Sequence, residues 1–505
     1  GSEKSCPLPL ILVQRKSDVA RLPWGRGVDA LTPVHAPSKG QCLSIIDEMP
    51  AMDRKSMLNS FLRQILPDFV RNGCQKRLWL MLIQFSVKNW RSVRDEQTLS
   101  LVKAKGDELA ETNSFDPEVQ ATGPLLRSAA IYGANAAGKS NLLDALRTMK
   151  VIVLESAAQK QQGDELPVTP FLLDQETENL PTEFEAVFVS SGVKYQYGFA
   201  LTKRKVVEEW LIASPNGRPQ RWFTREWSEL SDKYAWSLGG ALVGQKQLWK
   251  ESTRDNALFL STAVQLNSKQ LQPVFDWFKD KLRLTNVSGW GLSYTASLCE
   301  QEEDRARVLD FLRAADLDIH DVHVESEQFS VNHLPESMPE EMKKQLLESM
   351  KDRSIYDVRT VHHGTQGQKV EFDFHEESDG TQKLFAFAGP WLDVLKKGLV
   401  LAVDELHDNL HPKLVGFLVD LFHSNETNPK NAQLIFTTHE TSILSQEVFR
   451  RDQIWFCEKE NDQATHLYPL TDFSPRKGRE NIEAAYLAGR YGALPYIRSL
   501  KVVEA

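Results

Sequence analysis

The chain has 505 residues and a mass of 57.4 kDa, with 41% hydrophobic and 26% charged side chains, the composition of a folded globular protein and not of a disordered, collagen-like or membrane chain. Its 60 Lys and Arg against 69 Asp and Glu leave a net charge of −9, which excludes a surface cationic all over that coats nucleic acid and leaves open only a local basic groove. The five cysteines, Cys6, Cys42, Cys74, Cys299 and Cys457, are far apart and never in a C-x-x-C pair, so the spacing supports neither a disulfide framework nor a zinc site.

In chain order, Gly1 and Ser2 read as an expression scar, and residues up to about 80 as an extension of unreadable role. Its one periodic piece is an amphipathic helix over Ser56 to Val70. The aliphatic run Leu8 to Val13 is too short for a secretory signal or a membrane helix, so a cytoplasmic protein with no membrane partner is expected. At Met81 the texture changes: Leu82, Ile83, Phe85 and Val87 predict a strand, and Thr98 to Val102 a second. Leu125 to Ile131 predicts a buried strand, and the apolar face Leu142, Leu143, Ala145, Leu146 and Met149 a helix from Lys139 onward. Phe184 to Val189 and Val193 to Leu201 predict a hairpin through the turn Ser190, Ser191, Gly192. Helices are expected over Gln270 to Leu284, over Glu300 to Ala314, and after Pro339, where Met342, Leu346 and Met350 read as a core stripe. No repeat of 20–50 residues and no long heptad run is present, which excludes coiled-coil arms.

The chemistry is concentrated in a few short stretches. Gly133-Ala134-Asn135-Ala136-Ala137-Gly138-Lys139-Ser140 satisfies G-x-x-x-x-G-K-[ST] between a predicted strand and a predicted helix, a coincidence expected on the order of once in fifty chains of this length. In such a loop backbone N–H groups close around phosphate, Lys139 reaches the β- and γ-phosphates, and Ser140 ligates magnesium. Asn135 and Asn141 belong to the same candidate nucleotide-binding set as Gly133 and Gly138. The run Leu399 to Val403 predicts a buried parallel strand ending in Asp404 and Glu405, a Walker B pattern. Asp404 is expected to hold the metal and Glu405 to orient or deprotonate the attacking water.

The 265 residues from Lys139 to Asp404 imply an insertion, and the lack of an N-K-x-D string favours ATP over GTP. Between them, Ser378-Asp379-Gly380-Thr381-Gln382 resembles the signature loop of ABC-type ATPases, in which a serine and a glycine open a helix facing the γ-phosphate held by the opposite subunit. Ser378, Gly380 and Gln382 are therefore candidate nucleotide contacts in trans. The predicted strand Leu434 to Phe436 ends at Thr437-Thr438-His439, where such ATPases carry a switch histidine. Asp408-Asn409-Leu410-His411-Pro412 resembles their D-loop, and no Q-loop residue is assigned. His362, His363 and His375 lack a metal-ligand frame and read as a surface strand, while Lys203-Arg204-Lys205 and Arg476, Lys477 and Arg479 read as solvated turns that leave direct nucleic-acid contact open.

From Met81 onward the chain resembles the RloA/AbiL group of anti-phage, abortive-infection ATPases, relatives of the OLD and RecF ABC-type ATPases. Besides the motifs above, the resemblance rests on Asn89-Trp90-Arg91-Ser92, Pro170-Phe171-Leu172-Leu173-Asp174 and Tyr486-Leu487-Ala488-Gly489-Arg490-Tyr491-Gly492-Ala493-Leu494-Pro495. Members of the group typically begin near the position of Met81, so residues 3–80 are an extension or a matter of start-site choice. Only 66 residues follow His439, too few for the TOPRIM nuclease domain of OLD-type proteins.

The resemblance implies an α/β fold: an ABC-type P-loop ATPase head with a β-rich N-terminal lobe and a mixed α/β insertion between Walker A and the signature loop. The head would comprise 81–165 and 371–505, and 166–370 a β-hairpin and mainly helical insertion. It further implies ATP and Mg²⁺ sandwiched in a homodimer or higher homo-oligomer, a separate effector, a nuclease encoded by a neighbouring gene, and a phage-derived trigger. Two other readings are a RecF-like repair ATPase loading onto DNA and a nucleotide-gated scaffold that sequesters a partner protein with little turnover.

Overall fold

The computed structural model describes residues 80–285, 291–335, 337–350 and 354–496. The extension and its predicted helix Ser56 to Val70 lie outside the described residues. In chain order come β1 (Met81–Lys88), β2 (Gln97–Ser100), the short strands β3 (Ser114–Phe115) and β4 (Leu125–Leu126), β5 (Ser128–Gly133) and helix α1 (Lys139–Glu155). The stretch Leu125 to Ile131 is thus two strands, broken at Arg127. The Arg127 guanidinium is buried there and donates to the carbonyl of Thr112 and the side chains of Asn425 and Asn431.

The predicted hairpin forms as β6 (Thr182–Ser190) and β7 (Val193–Leu201), paired in register from Thr182–Leu201 to Ser190–Val193. Three further strands extend it, β8 (Val206–Ser214), β9 (Gln220–Ser228) and β10 (Lys233–Leu238). With β1 and β2 they make a seven-stranded antiparallel sheet ordered β10-β9-β8-β7-β6-β1-β2. Helix α2 (Phe259–Gln265) leads to a short helical stretch at Gln272–Asp276, a π-helical turn at Trp277–Lys281 and β11 (Leu282–Thr285). The helix expected to continue to Leu284 therefore ends early, because Leu282–Thr285 pair in parallel with the Walker B strand. Tertiary pairing overrides the local period here.

Helices α3 (Ser293–Cys299) and α4 (Glu302–Ala314) precede β12 (Asp321–Gln328), helix α5 (Glu340–Met350), β13 (Ser354–His363) and β14 (Lys369–Asp373), and the three strands form a separate antiparallel sheet. Helix α5 starts one residue after Pro339, as expected, but buries none of its side chains, and Met342 is 53% exposed. Among the described residues its apolar stripe is therefore not part of a core. Periodicity reports that one face is apolar, not that another element covers it.

The rest of the head is α6 (Asp379–Lys397), β15 (Val400–Val403), α7 (Pro412–His423), β16 (Gln433–Thr437), β17 (Ile454–Lys459), β18 (Thr465–Pro469) and α8 (Ile482–Leu487). They complete a six-stranded sheet ordered β11-β15-β16-β5-β17-β18, parallel except for β18. Both of its faces are buried, which is why β5 and β15 read as unbroken apolar runs. Val400 and Ala402 face a core shared with α1 and the antiparallel sheet, whereas Leu401 and Val403 face a second core with α6 and α7. Leu142, Leu143, Leu146, Met149, Ile152 and Val153 seat α1 in the first core, each contributing about 1.5–3 kcal/mol of burial for the larger side chains. Among the described residues no helix is long and apolar enough to cross a membrane.

Candidate nucleotide site

The strand order places three chain turns side by side. β16 lies between β15 and β5, so the ends of the three strands, at Val403, Thr437 and Gly133, open on one edge of a parallel sheet, where ligands of such sheets gather.

The loop after β5 owes its shape to glycine at two points. Gly133 has φ +155° and Gly138 φ +108°; an added Cβ would lie 2.2 Å from the Cys457 carbonyl oxygen in the first case and 2.1 Å from Thr465 Oγ1 in the second. Ala136 also adopts a left-handed φ of 62°. The loop is propped from behind: Thr465 Oγ1 donates to the Ala137 carbonyl at 2.9 Å, Cys457 Sγ lies 3.3 Å from the same oxygen, and Asn141 Nδ2 donates to Ser92 Oγ at 2.7 Å. Asn141, expected to face nucleotide, thus has its amide turned to Ser92. Asn135 and Ser140 are exposed.

Lys139 opens α1 and is 5% exposed. Its ammonium donates to the carbonyls of Gly133 at 2.8 Å and Ala134 at 3.0 Å, and lies 3.5 Å from His439 Nδ1. Burial pulls it below the ordinary lysine range, against the opposing fields of Cys457, Glu405 and Asp404. No side chain caps the first turn of α1 and no carboxylate lies in it. A buried cation held by neutral carbonyls beside an uncapped helix start is a donor set that suits phosphate. Ser140 and Asp404 supply the hydroxyl and carboxylate oxygens that suit Mg²⁺.

Walker B is organised by Thr437. Its hydroxyl donates to Asp404 Oδ1 at 2.6 Å and accepts from the Glu405 backbone N–H at 2.8 Å. Asp404 is buried at the strand tip. Glu405 has φ 51°, a left-handed conformation uncommon for a non-glycine residue. Glu405 Oε1 then lies 3.9 Å from His439 Nε2. Burial and the neighbouring Lys139 pull His439 below the ordinary histidine range, against the opposing influence of Glu405, the Gly133 carbonyl and Asp404. The ring thus stands with Nδ1 beside the Lys139 ammonium and Nε2 toward Glu405. His439 therefore bridges the loop cation and the acidic pair.

The structure thus brings together Lys139, Asp404, Glu405 and His439. The signature segment has other neighbours. Ser378 caps α6, accepting from the Thr381 N–H at 3.2 Å; Gln382 Nε2 donates to the Glu377 carbonyl at 2.8 Å; and a Cβ on Gly380 would lie 3.5 Å from the Asn409 carbonyl oxygen. Lys383 Nζ pairs with Asp408 at 3.0 Å, tying this helix to the D-loop. His411 accepts from the Lys413 N–H at 3.2 Å and so caps α7.

Several supporting residues carried no readable signal beyond the strings that contain them. Asn89 clasps the 170–181 loop, donating to the carbonyls of Thr177 and Leu180 at 2.9 Å and accepting from the Phe171 N–H at 2.9 Å. The Trp90 indole donates to the Asn141 carbonyl at 3.1 Å, and Arg91 pairs with Asp144 at 2.8 Å. Tyr132, directly before the loop, packs edge-on against Tyr486 of α8. The basic clusters are partly engaged within the chain: Lys205 lies over the Trp227 ring at 3.9 Å, and Lys477 pairs with Asp107 and Glu108.

A glycine-shaped loop after one strand, an acidic pair after another, a strand between them and an antiparallel lobe define an ABC-type P-loop ATPase head. Residues 128–445, more than half of the chain, match the family described as "AAA domain, putative AbiEii toxin, Type IV TA system", and the chain belongs to that family of AAA/ABC-type ATPases. Solved structures similar to it include the SMC head domain from Thermotoga maritima, 14% identical, covering 77% of this chain and 98% of that one at a TM-score of 0.32. An SMC head bound to the C-terminal winged-helix domain of ScpA is 12% identical over 77% of this chain and 97% of that one, with a TM-score of 0.31. CbiO1 of Clostridium perfringens, part of the ABC transporter complex cbiONQ, is 10% identical over 76% and 94%, with a TM-score of 0.26. No curated protein matches the chain.

Proposed function

We propose that the protein binds ATP with Mg²⁺ and hydrolyses it in a site shared by two copies, the Walker residues of one facing Ser378, Gly380 and Gln382 of the other. The observation that carries this reading is the convergence of Lys139, Asp404, Glu405 and His439 at one sheet edge, while the signature segment packs on its own D-loop. In this reading Lys139 offsets phosphate charge, and Ser140 and Asp404 hold the metal. Mg²⁺ bound there supplies charge neutralisation at the phosphates. Glu405 orients a water and accepts its proton, and His439 relays nucleotide state between Lys139 and Glu405.

The wider role we infer is control of a separate effector, a nuclease of a neighbouring gene, in bacterial anti-phage defence of the RloA/AbiL type. The strings Asn89 to Ser92 and Tyr486 to Pro495, and the toxin–antitoxin description of the matching family, support it.

The test is a pair of variants. Lys139→Ala should lose nucleotide binding by calorimetry, whereas Glu405→Gln should bind ATP, lose turnover and accumulate as a closed dimer in sedimentation. Hydrolysis by Glu405→Gln at the unmutated rate would remove the catalytic assignment.

A further inference from the structure

The residue before the signature serine is held by a different part of the protein. Glu377 is nearly buried, with its side chain 13% exposed, and a single carboxylate oxygen, Oε1, accepts twice: from the Thr360 hydroxyl at 2.5 Å and from His362 Nε2 at 2.7 Å. Both donors stand on β13, the central strand of the inserted three-stranded sheet. Thr360 is fully buried, and the His362 ring meets Phe372 of β14 edge-on at 5.3 Å. On the other side, the Glu377 carbonyl accepts from Gln382 Nε2 at 2.8 Å, and the next residue, Ser378, caps α6. One short chain of hydrogen bonds therefore runs from β13 through Glu377 into the signature turn.

We propose that Glu377, with Thr360 and His362, is a positioning clamp for this turn, through which the inserted sheet sets whether Ser378, Gly380 and Gln382 are presented correctly to nucleotide on a second copy. The inference rests on the composite site proposed above. Its physical basis is geometric. Two charge-assisted bonds on one oxygen fix the carboxylate, and the peptide that follows begins the turn, so releasing them frees the turn while the P-loop, propped by Cys457 and Thr465, keeps its shape. The clamp also gives the sheet a function its position alone does not explain. It is anchored in the second core by Val322 and Val358, and Phe374 after β14 packs on Phe385 of α6 at 4.9 Å, so movement of the sheet reaches the helix that carries the signature.

The experiment uses the full chain in a Glu405→Gln background, comparing the parent with His362→Ala, His362→Gln and Glu377→Ala. ATP binding to the separate protomer is read by a fluorescent analogue, ATP-driven dimerisation by sedimentation velocity, and folding by thermal melting. The expected result is nucleotide affinity within about twofold of the parent, dimerisation weakened about tenfold or more in His362→Ala and Glu377→Ala, and recovery in His362→Gln, whose amide still donates to Glu377. In the Glu405-intact protein His362→Ala and Glu377→Ala lower kcat with KM little changed, and His362→Gln restores it. A generally destabilised protein would lose both readouts together, and Gln would not restore it. Should Glu377→Ala fail to fold, the His362 pair decides alone. If the parent dimerises and His362→Ala dimerises equally well, the clamp is overturned while the composite site stands. If the parent stays monomeric in saturating ATP, the composite site fails and the clamp falls with it.

Discussion

Thr437 and Asp404 are joined by a 2.6 Å hydrogen bond across adjacent parallel strands, and the same hydroxyl accepts from the N–H of Glu405. A single side chain at the end of β16 thereby sets both acids at the end of β15. The bond to Asp404 consumes the threonine proton, so the oxygen is left as the acceptor that fixes the turn carrying Glu405.

Removing this hydroxyl should separate binding from chemistry. Thr437→Val keeps the volume and leaves one carboxylate oxygen and one N–H unpaired, worth about 1–3 kcal/mol. Nucleotide affinity set by the loop should change little, while turnover falls about tenfold or more; Thr437→Ser should recover most of it. Steady-state kinetics with direct binding measurements decide the point.

Gly138 offers a steric test. Alanine there meets Thr465 Oγ1 at 2.1 Å and Cγ2 at 2.8 Å, and must also hold φ +108°. Strained backbone of this kind costs about 1–3 kcal/mol. Gly138→Ala should lower the melting temperature and remove the stabilisation given by ATP. Adding Thr465→Ala relieves the collision but not the backbone strain, so recovery should be partial. Full recovery would show that φ at this position is unimportant.

His423 should shape the acid limb of stability. Burial, with a smaller contribution from Arg127, pushes it down to about 3 from an ordinary 6.5, and its Nε2 lies 2.9 Å from Ser128 Oγ. The folded protein holds this ring neutral where the unfolded chain would protonate it. The unfolded state then binds the extra proton between about pH 6.5 and 3, so stability present above that window is lost as pH falls through it. Chemical denaturation at several pH values should show a shallower acid slope for His423→Gln than for the parent. An unchanged slope would assign acid lability elsewhere.

Much of the site was legible because the motifs are local. A phosphate-binding turn needs glycine at fixed steps and a lysine at the helix start, so Gly133, Gly138 and Lys139 announce themselves within eight residues. A strand buried on both faces must be apolar throughout, which marked Leu399 to Val403. The strands β8 to β10 were less visible: Val206-Val207-Glu208-Glu209-Trp210 breaks alternation, since Glu209 is buried and satisfied by Tyr197 and by the N–H groups of Phe259 and Leu260. A buried charge with partners from other elements looks, in one dimension, like an exposed one.

Residue type and short spacing by themselves marked which side chains are candidates to meet phosphate and metal, because those requirements are satisfied within one turn of chain. The folded arrangement alone decided that β16 stands between the two motif strands, that Thr437 and His439 join Asp404 to Lys139, that Leu282–Thr285 is strand and not helix, and that among the described residues no side chain of α5 is buried. The physical reason is that these outcomes depend on pairing and burial between residues tens to hundreds of positions apart, for which local periodicity carries no term.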